Sequence, residues 1–241
     1  NAMPFGLERS FFLDWVRLAD DAGFDTLSTV DRPNYDMWDP LASLAAAAAV
    51  TEQIRLATTT LPLPNRNEVL VAKQAAVIDR LSGGRLTLGV SLGSRPDDYQ
   101  VFGATLEHRV TRFREQIARI RQVWAEARHS DREHGVLGPP PIQDPGPPIW
   151  IGAFSERGRQ RAVEVANGFI FGGAARPSMI GPAVASMRPQ VADRGKPDFS
   201  FNALAFIAIG GEHEFAEAVA HHERYYPVLP LPVEQAIHHG P

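Results

Sequence analysis

The chain contains no cysteine among its 241 residues. This absence excludes disulfides, cysteine nucleophiles and cysteine-ligated metals, and it agrees with a cytoplasmic location. No apolar run approaches the roughly 20 residues that a membrane span requires, and no basic segment followed by an apolar one marks a signal peptide. We interpret Asn1 and Ala2 as a tag remnant and Met3 as the natural start, so that 3–241 forms a single domain.

Large net charge and the common phosphate-binding motifs are also missing. The formal net charge is −4, which argues against nucleic acid or an anionic membrane as the main partner. No P-loop is present, and no strand leads into G-x-G-x-x-G. Any phosphate must therefore be bound by the geometry of individual loops and not by a broad positive surface. The sequence also predicts no hydrolytic triad.

Helical and strand patterns alternate along the chain, which is typical of a parallel sheet with crossover helices. The first helix is expected to be capped by Ser10 and to end at Gly23. The later helices are predicted at Leu41–Thr51, Asn67–Leu81, Leu106–Ala127, Glu156–Val165, Ser178–Ala192 and Glu212–Tyr226. The strands are predicted at Asp25–Asp31, Arg55–Leu61, Arg85–Leu92, Ile149–Ile151, Gly168–Phe171 and Phe199–Ile209.

The predicted architecture is an α/β fold, a (β/α)8 barrel of the TIM type. Short apolar strands with small residues at their carboxyl ends favour a closed barrel over an open sheet. A barrel of this kind has eight strands, and only about six are visible here. Met3–Leu7 offers a stunted first strand, and 238–241 resembles the approach to a helix and strand that do not follow. We therefore expect a barrel trimmed at one or both ends.

Three stretches together resemble the bacterial luciferase-like monooxygenase family. The first is Gly23-Phe24-Asp25 leading to Asp31, and the third is P-I-W-I-G at 148–152, followed by Asn167-Gly168-Phe169. The middle stretch, 51–93, is the most specific, because T-E-Q-I-R-L is followed there by A-K-Q-A-A-V-I-D-R-L-S-G-G-R-L-T-L-G-V-S-L-G. The resemblance spans nearly the whole chain and implies a flavin or deazaflavin oxidoreductase.

The resemblance places the cofactor ring at the barrel mouth, against the carboxyl ends of the strands. Thr59 and Thr60 would lie under the ring, joined by a non-prolyl cis peptide, although threonines are also ordinary strand residues. Ser91 stands where the family usually has glycine. The remaining predicted ring contacts are Leu92, Gly93 and Ser94. Gly89 and Gly93 have no Cβ and would let a flat ring approach the backbone, unless they only permit strand packing.

The cofactor phosphate is expected on two glycine-bearing loops. The first follows a strand and opens a helix, so its backbone N–H groups favour an anion; it contains Gly152, Ala153, Phe154 and Ser155. The second contains Gly172 and Gly173. Ser155 is equally well placed as a helix N-cap. Arg176 and Arg157 are near enough in sequence to neutralise the charge, Arg157 being better interpreted as a surface residue.

The candidate catalytic residues are Asp31, Arg32 and His108. Many family members have a histidine after this aspartate, and here Arg32 replaces it. An arginine cannot act as a general acid near neutral pH but can stabilise an anionic flavin. Tyr35 and Trp38 on the same loop are candidates for the substrate-pocket wall or for hydrophobic plugs.

We predict no metal site. His213, Glu217 and His221 share one helical face, but the H-E-x-x-H pattern of zinc enzymes is missing. A solvated helix face is the better interpretation. Arg109 and Arg112 are expected to pair with Glu107 and Glu115 on a helix surface.

The leading functional hypothesis is a monooxygenase that uses FMN, reduced by a separate flavin reductase, on a small organic substrate. The first alternative is hydride transfer with the deazaflavin coenzyme F420. A second is a degenerate family member that binds a ligand or a partner without catalysis, and an unrelated TIM-barrel lyase or isomerase is a third. A homodimer is expected, because the open edge of a shortened barrel must be covered.

Overall fold

A computed structural model describes residues 8–33, 35–129, 137–173, 175–225 and 237–240. The described residues form eight α-helices: α1 (Arg9–Asp21), α2 (Pro40–Ala48), α3 (Glu68–Leu81), α4 (Pro96–Val101), α5 (Arg109–His129), α6 (Glu156–Val165), α7 (Pro177–Asp193) and α8 (Glu212–Tyr225). Their strands are β1 (Thr26–Thr29), β2 (Arg55–Thr58), β3 (Leu61–Pro62), β4 (Leu86–Ser91), β5 (Ile149–Gly152), β6 (Gly168–Phe171), β7 (Ser200–Ala203), β8 (Phe206–Ile209) and β9 (Ile237–Gly240). A 3-10 helix covers Leu63–Asn65.

A parallel sheet with the strand order β1-β2-β4-β5-β6-β7 forms the centre of the molecule, and β3 pairs with β4 beside it. The sheet curls into part of a barrel of the TIM type, which confirms the predicted trimmed barrel. In the described part of the chain, β1 and β7 are its two edges. The carboxyl ends of all these strands therefore lie at one rim.

The helices pack on the sheet through alanines and branched aliphatic residues. On α2, Leu41, Leu44 and Ala47 are buried, and α3 contributes a buried stripe that includes Val71 and Ala75. Small side chains let helices approach each other closely, which explains the alanine-rich sequence of α2. The core is continuous from α1 to α7.

Most predicted elements are present, with corrected bounds at several ends. The Ser10 cap is wrong, because α1 begins at Arg9 after Glu8. The predicted helix over Leu106–Ala127 begins only at Arg109, and the short α4 precedes it. The predicted strand over Phe199–Ile209 is divided into β7 and β8.

The prediction for the carboxyl end of the chain is also wrong. Residues 237–240 form β9, which pairs in parallel with β8 in a separate two-stranded sheet, whereas the sequence suggested only the approach to further elements. Met3–Leu7 lies outside the described residues. Among the described residues, no helix has the length and apolar character needed to cross a bilayer.

Candidate functional site

A cleft of about 370 Å³ opens at the rim where the carboxyl ends of the parallel strands meet. This is the edge at which enzymes of the barrel class build their active sites. Fourteen of the sixteen predicted site residues line the cleft: Asp31, Arg32, Thr59, Thr60, Ser91, Leu92, Gly93, Ser94, Gly152, Ala153, Phe154, Ser155, Gly172 and Gly173. Residues separated by more than 140 positions in sequence thus share one surface.

The two threonines after β2 lie between β1 and the end of β5. The Thr59–Thr60 peptide bond is cis, as the family resemblance implied. Thr59 donates its hydroxyl to Ser28 Oγ at 3.1 Å. A Cβ at Gly152 would come within 2.8 Å of Thr60 Cγ2, so a larger residue there would displace Thr60.

Gly89 does not contact the cleft. A Cβ at this position would come within 1.9 Å of the carbonyl oxygen of Thr58, and Thr58 Oγ1 also donates to the Gly89 carbonyl at 2.6 Å. The absence of a side chain therefore permits β2 and β4 to pack, and the expectation that a ring approaches Gly89 is wrong. Gly93 does line the cleft and has φ +70°.

Asp31 is buried and forms a two-point ion pair. Arg66 donates from Nε and Nη2 to the two oxygens of Asp31, both at 3.0 Å, and Nη2 also reaches Asp39 Oδ2 at 2.9 Å. Burial raises the pKa of Asp31 above that of an ordinary carboxyl, and Arg66 opposes this shift. The carboxylate that follows β1 is thus held by an arginine from the loop after β3.

Arg32 is buried and extends toward α4. Its Nε lies 3.3 Å from Asp98 Oδ1, and its Nη2 lies 3.6 Å from Asp97 Oδ2. The ring of Tyr35 covers the guanidinium at 4.2 Å. Burial raises the pKa of Asp98, an effect that Arg32 opposes. The positive charge therefore stays fixed at the rim of the cleft.

The loop after β4 is fixed by side chains that donate hydrogen bonds to its carbonyl groups. Tyr99 donates its hydroxyl to the Leu92 carbonyl, and Arg109 Nη1 donates to the Gly93 carbonyl at 3.0 Å. Burial raises the pKa of Tyr99, while Arg109 acts to lower it. Arg112 donates to the Thr105 carbonyl, so both arginines bind backbone, and the predicted pairs with Glu107 and Glu115 are wrong.

The amino end of α6 also borders the cleft. Ser155 caps this helix by accepting from Gly158 N at 3.1 Å, and it also lines the cleft. The N-cap interpretation is therefore confirmed, and the hydroxyl hydrogen of Ser155 remains able to donate to a ligand. The helix dipole makes this end favourable for an anion.

Phenyl rings fill part of the space beside the second glycine loop. A Cβ at Gly172 would come within 2.8 Å of the Phe154 ring, and one at Gly173 within 2.5 Å of the Phe206 ring. Both rings line the cleft. The glycines thus admit aromatic side chains at the cleft, and the phosphate contact expected for Gly172 and Gly173 stays a prediction.

Two predicted residues lie outside the cleft lining. His108 is exposed in the turn before α5, where it has φ +54° and its carbonyl accepts from Arg112 N. Arg176 is exposed at the start of α7. Neither contributes to the cleft surface, because local turn and helix geometry directs both away from it.

The aromatic residues of the loop after β1 are also absent from the lining. Trp38 packs on Phe12 with ring centroids 5.3 Å apart and acts as a plug over α1. Tyr35 covers Arg32 and donates its hydroxyl to the Arg224 carbonyl at 3.2 Å. This contact connects the loop to the end of α8.

Arg161 was not singled out as a site residue, yet it lines the cleft. Its side chain lies on α6 among the buried residues Gly158, Ala162 and Val163. In the described part of the chain, no acceptor lies within hydrogen-bond distance of its buried Nε. The sequence feature that could have identified Arg161 is its position among the apolar residues on the buried face of an amphipathic helix.

Two further side-chain patterns do not form enzymatic sites here. Residues 89–93, Gly-Val-Ser-Leu-Gly, match the spacing of a nucleophile elbow, but Ser91 lies within β4 rather than on a strand-to-helix turn. No histidine is among the described residues that line the cleft. His213 and Glu217 form an exposed pair at 3.6 Å on α8.

The family model for luciferase-like monooxygenases matches residues 7–239. The chain belongs to this family. Its members are flavin- or F420-dependent oxidoreductases, and their barrel fold is the one described above. A monooxygenase of Streptomyces bottropensis has a similar structure, with a TM-score of 0.75 and 25% identity over 93% of this chain and 73% of that one.

Two curated relatives illustrate both cofactor classes within the family. The oxygenase component of a flavin-dependent trigonelline monooxygenase from Acinetobacter baylyi is 31% identical over 137 residues, which are 52% of this chain and 37% of the relative. A protein of Mycobacterium tuberculosis provisionally named a coenzyme F420-dependent oxidoreductase is 28% identical over 229 residues, which are 84% of this chain and 63% of the relative. The chain thus spans between about a third and two thirds of these relatives.

Proposed function

We propose that the chain is an oxidoreductase that binds reduced FMN in the rim cleft and oxygenates a small organic substrate. The observation that carries this proposal is the cleft itself, which has a largely apolar floor and an anion-favouring helix end on the same surface. Its volume of about 370 Å³ lies within the range of small-molecule sites. A flat apolar ring attached to a phosphate fits both features.

The residues divide into a ring-binding end and a phosphate-binding end. Thr59, Thr60 and the Leu92–Ser94 segment supply the surface for the ring, where the side chains are small and the backbone is accessible. Gly152 at the end of β5 and Ser155 at the N-cap of α6 would face the phosphate. The rings of Phe154 and Phe206 also line the cleft and add to its apolar surface.

When bound, a reduced flavin supplies the electrons for the chemistry, and the protein orients it and shapes its surroundings. Arg32 provides a fixed positive charge that stabilises negative charge at the ring end. It does so without exchanging a proton, because a guanidinium stays protonated at neutral pH. Asp31 is committed to Arg66 and fixes the position of the strand end from which Arg32 projects.

Arg32→Met is the direct test of this electrostatic role. The methionine keeps much of the side-chain volume but removes the charge, so we expect kcat to fall by about 100-fold, the lower end of the range for loss of one stabilising donor. FMN affinity should change little. Normal turnover by this variant would remove Arg32 from the mechanism.

A separate reductase and a homodimer complete the proposal. The similarity to an oxygenase component supports a reductase partner. The open edges of the sheet, β1 and β7 in the described chain, support dimer formation. Sedimentation of the purified protein should give twice the 26.4 kDa chain mass; a monomer at micromolar concentration contradicts the dimer.

Hydride transfer with coenzyme F420 is the second candidate, supported by the relative that covers most of this chain. Anaerobic titrations with FMN, reduced FMN and F420, followed by protein fluorescence, separate the two. We expect reduced FMN to bind at micromolar concentrations and oxygen to be consumed in turnover. Tighter binding of F420, with no oxygen uptake, favours the alternative. A folded protein that binds neither contradicts both and leaves a non-catalytic family member.

A further inference from the structure

One arginine at the cleft, Arg161, has a buried donor that the described residues leave without a hydrogen-bond acceptor. Arg161 lines the cleft, is only 7% exposed, and has a buried Nε with no hydrogen-bond acceptor among the described residues. Buried polar atoms are almost always hydrogen-bonded, because an unmet donor costs about 1–3 kcal/mol. The site can therefore accommodate an acceptor that the described residues do not supply.

Two other arginines of the cleft differ from Arg161 in this respect. Arg32 lies against Asp98 and Asp97, and Arg109 donates to the Gly93 carbonyl. The nearest carboxylate on α6, Glu164, is engaged by Arg114 from α5. Burial lowers the pKa of Arg161, and the charge of Arg114 acts in the same direction, while Glu164 acts in the opposite direction. An anion beside Arg161 would oppose the effects of burial and of Arg114.

The position of Arg161 on α6 directs it toward the cleft. Side chains of an α-helix tilt toward its amino end. Arg161 lies six positions after the cap Ser155, which corresponds to about 9 Å along the axis, and a long side chain spans most of that distance. Ser155 at the amino end of α6 and Arg161 in its second turn therefore line the same cleft.

We propose that Arg161 binds the phosphate of the cofactor and makes the site selective for a phosphorylated flavin over its unphosphorylated form. This inference rests on the proposed function and assigns the phosphate contact to a residue other than Arg176 and Arg157. A guanidinium presents two parallel N–H donors that match two phosphate oxygens. The helix end supplies the remaining donors.

The test compares FMN with riboflavin, which has the same ring and no phosphate. Protein fluorescence gives both dissociation constants for the wild type, Arg161→Gln, Arg161→Lys and the control Arg157→Gln, which alters an exposed arginine of the same helix. We expect Arg161→Gln to weaken FMN by about 10- to 100-fold and to leave riboflavin unchanged. Arg157→Gln should match the wild type.

The lysine variant keeps the proposal testable if Arg161→Gln does not fold. Lysine retains the charge but not the paired donors, so FMN affinity should fall by several-fold, again with riboflavin unchanged. Equal losses for the two flavins in either variant would overturn the proposal, since they indicate a structural role. Retention of full FMN affinity would overturn it as well.

Failure of this inference is distinguishable from failure of the proposed function. If the wild type binds FMN and riboflavin equally, the ring site stands and the phosphate contact is wrong. If it binds neither flavin but binds F420, the same comparison is made with F420 and its phosphate-free deazaflavin chromophore, and the same loss is expected for Arg161→Gln. If it binds none of the four, the proposed function fails, and the inference with it.

Discussion

At the scale of single residues, buried carboxylates near the rim are each matched by an arginine from a distant part of the chain. Asp31 pairs with Arg66, and Asp98 with Arg32. Removal of one member leaves a buried charge without a partner, which is far more costly than loss of an exposed pair. The rim is therefore sensitive to single substitutions.

Arg66→Met is expected to destabilise the protein by about 3–5 kcal/mol, because Asp31 would remain buried and unpaired. The free energy of unfolding in urea measures this loss. Arg17→Met is the matched control, since Arg17 pairs with Asp14 on the exposed face of α1; a change of about 0.5 kcal/mol or less is expected there. Equal effects would show that the Asp31 pair is not important for stability.

Gly89→Ala tests the contact between β2 and β4. The new Cβ would collide with the Thr58 carbonyl, so we expect a loss of about 1–3 kcal/mol in the free energy of unfolding. Gly181→Ala offers a control inside α7, where a Cβ meets no atom within 4 Å. That variant should be neutral or more stable by up to about 1 kcal/mol. A stable Gly89→Ala protein would refute the close approach.

At the scale of elements, Asp20 connects the end of α1 to the segment before β2. Its carboxylate accepts from the backbone N–H groups of Glu52, Gln53 and Ile54 at 2.6–3.1 Å. Partial burial acts to raise the pKa of Asp20, but these three donors hold it below its ordinary value. The segment that leads into β2 is thereby fixed.

Asp20→Asn should cost about 1 kcal/mol at neutral pH, a low value for charged hydrogen bonds because solvent reaches the carboxylate. A lowered folded-state pKa means that the stabilisation is present above the unfolded value near 4 and is lost as the pH falls through the folded value. Urea unfolding at pH 7 and at pH 3 should therefore show a smaller difference between variant and wild type at pH 3. An equal difference at both values contradicts the ionic contribution.

The order of helices and strands could be predicted from the periodicity of apolar residues. The residues at which each element begins and ends could be predicted less accurately. Asp39 and Asn67 cap α2 and α3 with their side chains, and both helices were predicted within a few residues. The predicted start of α5 is too early, because Leu106 continues the helical spacing of Val110 and Phe113 although the helix begins only at Arg109. The division of residues 200–209 between two sheets becomes visible only from their partners, since β7 pairs with β6 and β8 pairs with β9.

The site was predictable wherever it is made of backbone at strand ends, because topology brings those ends together. Thr59, Gly93 and Gly152 followed from this rule and from the family resemblance. Residues that act through a long side chain were not predictable. Arg161 reaches the cleft from the second turn of a helix, and the exposure of His108 depends on a single residue with positive φ.

At the scale of the whole molecule, cofactor binding should stabilise the fold, since the cleft joins residues from β1 to β8. At a concentration 100 times its Kd, a ligand adds about 2.7 kcal/mol, which corresponds to a rise in Tm of about 5–10 °C for a chain of this size. Differential scanning fluorimetry with FMN measures the shift. Riboflavin at equal concentration should give a smaller rise, and no shift with FMN contradicts binding to the folded state.

Arg66 also holds both ends of the loop that follows β1. One guanidinium binds Asp31, where the loop begins, and Asp39, which caps α2 where the loop ends. The ends of this loop are thus fixed independently of its length, and lengthening a surface loop costs little free energy. Insertions beside the exposed Asp36 should consequently be tolerated, because Arg66 keeps Asp31 and Asp39 bridged whatever the length of chain between them.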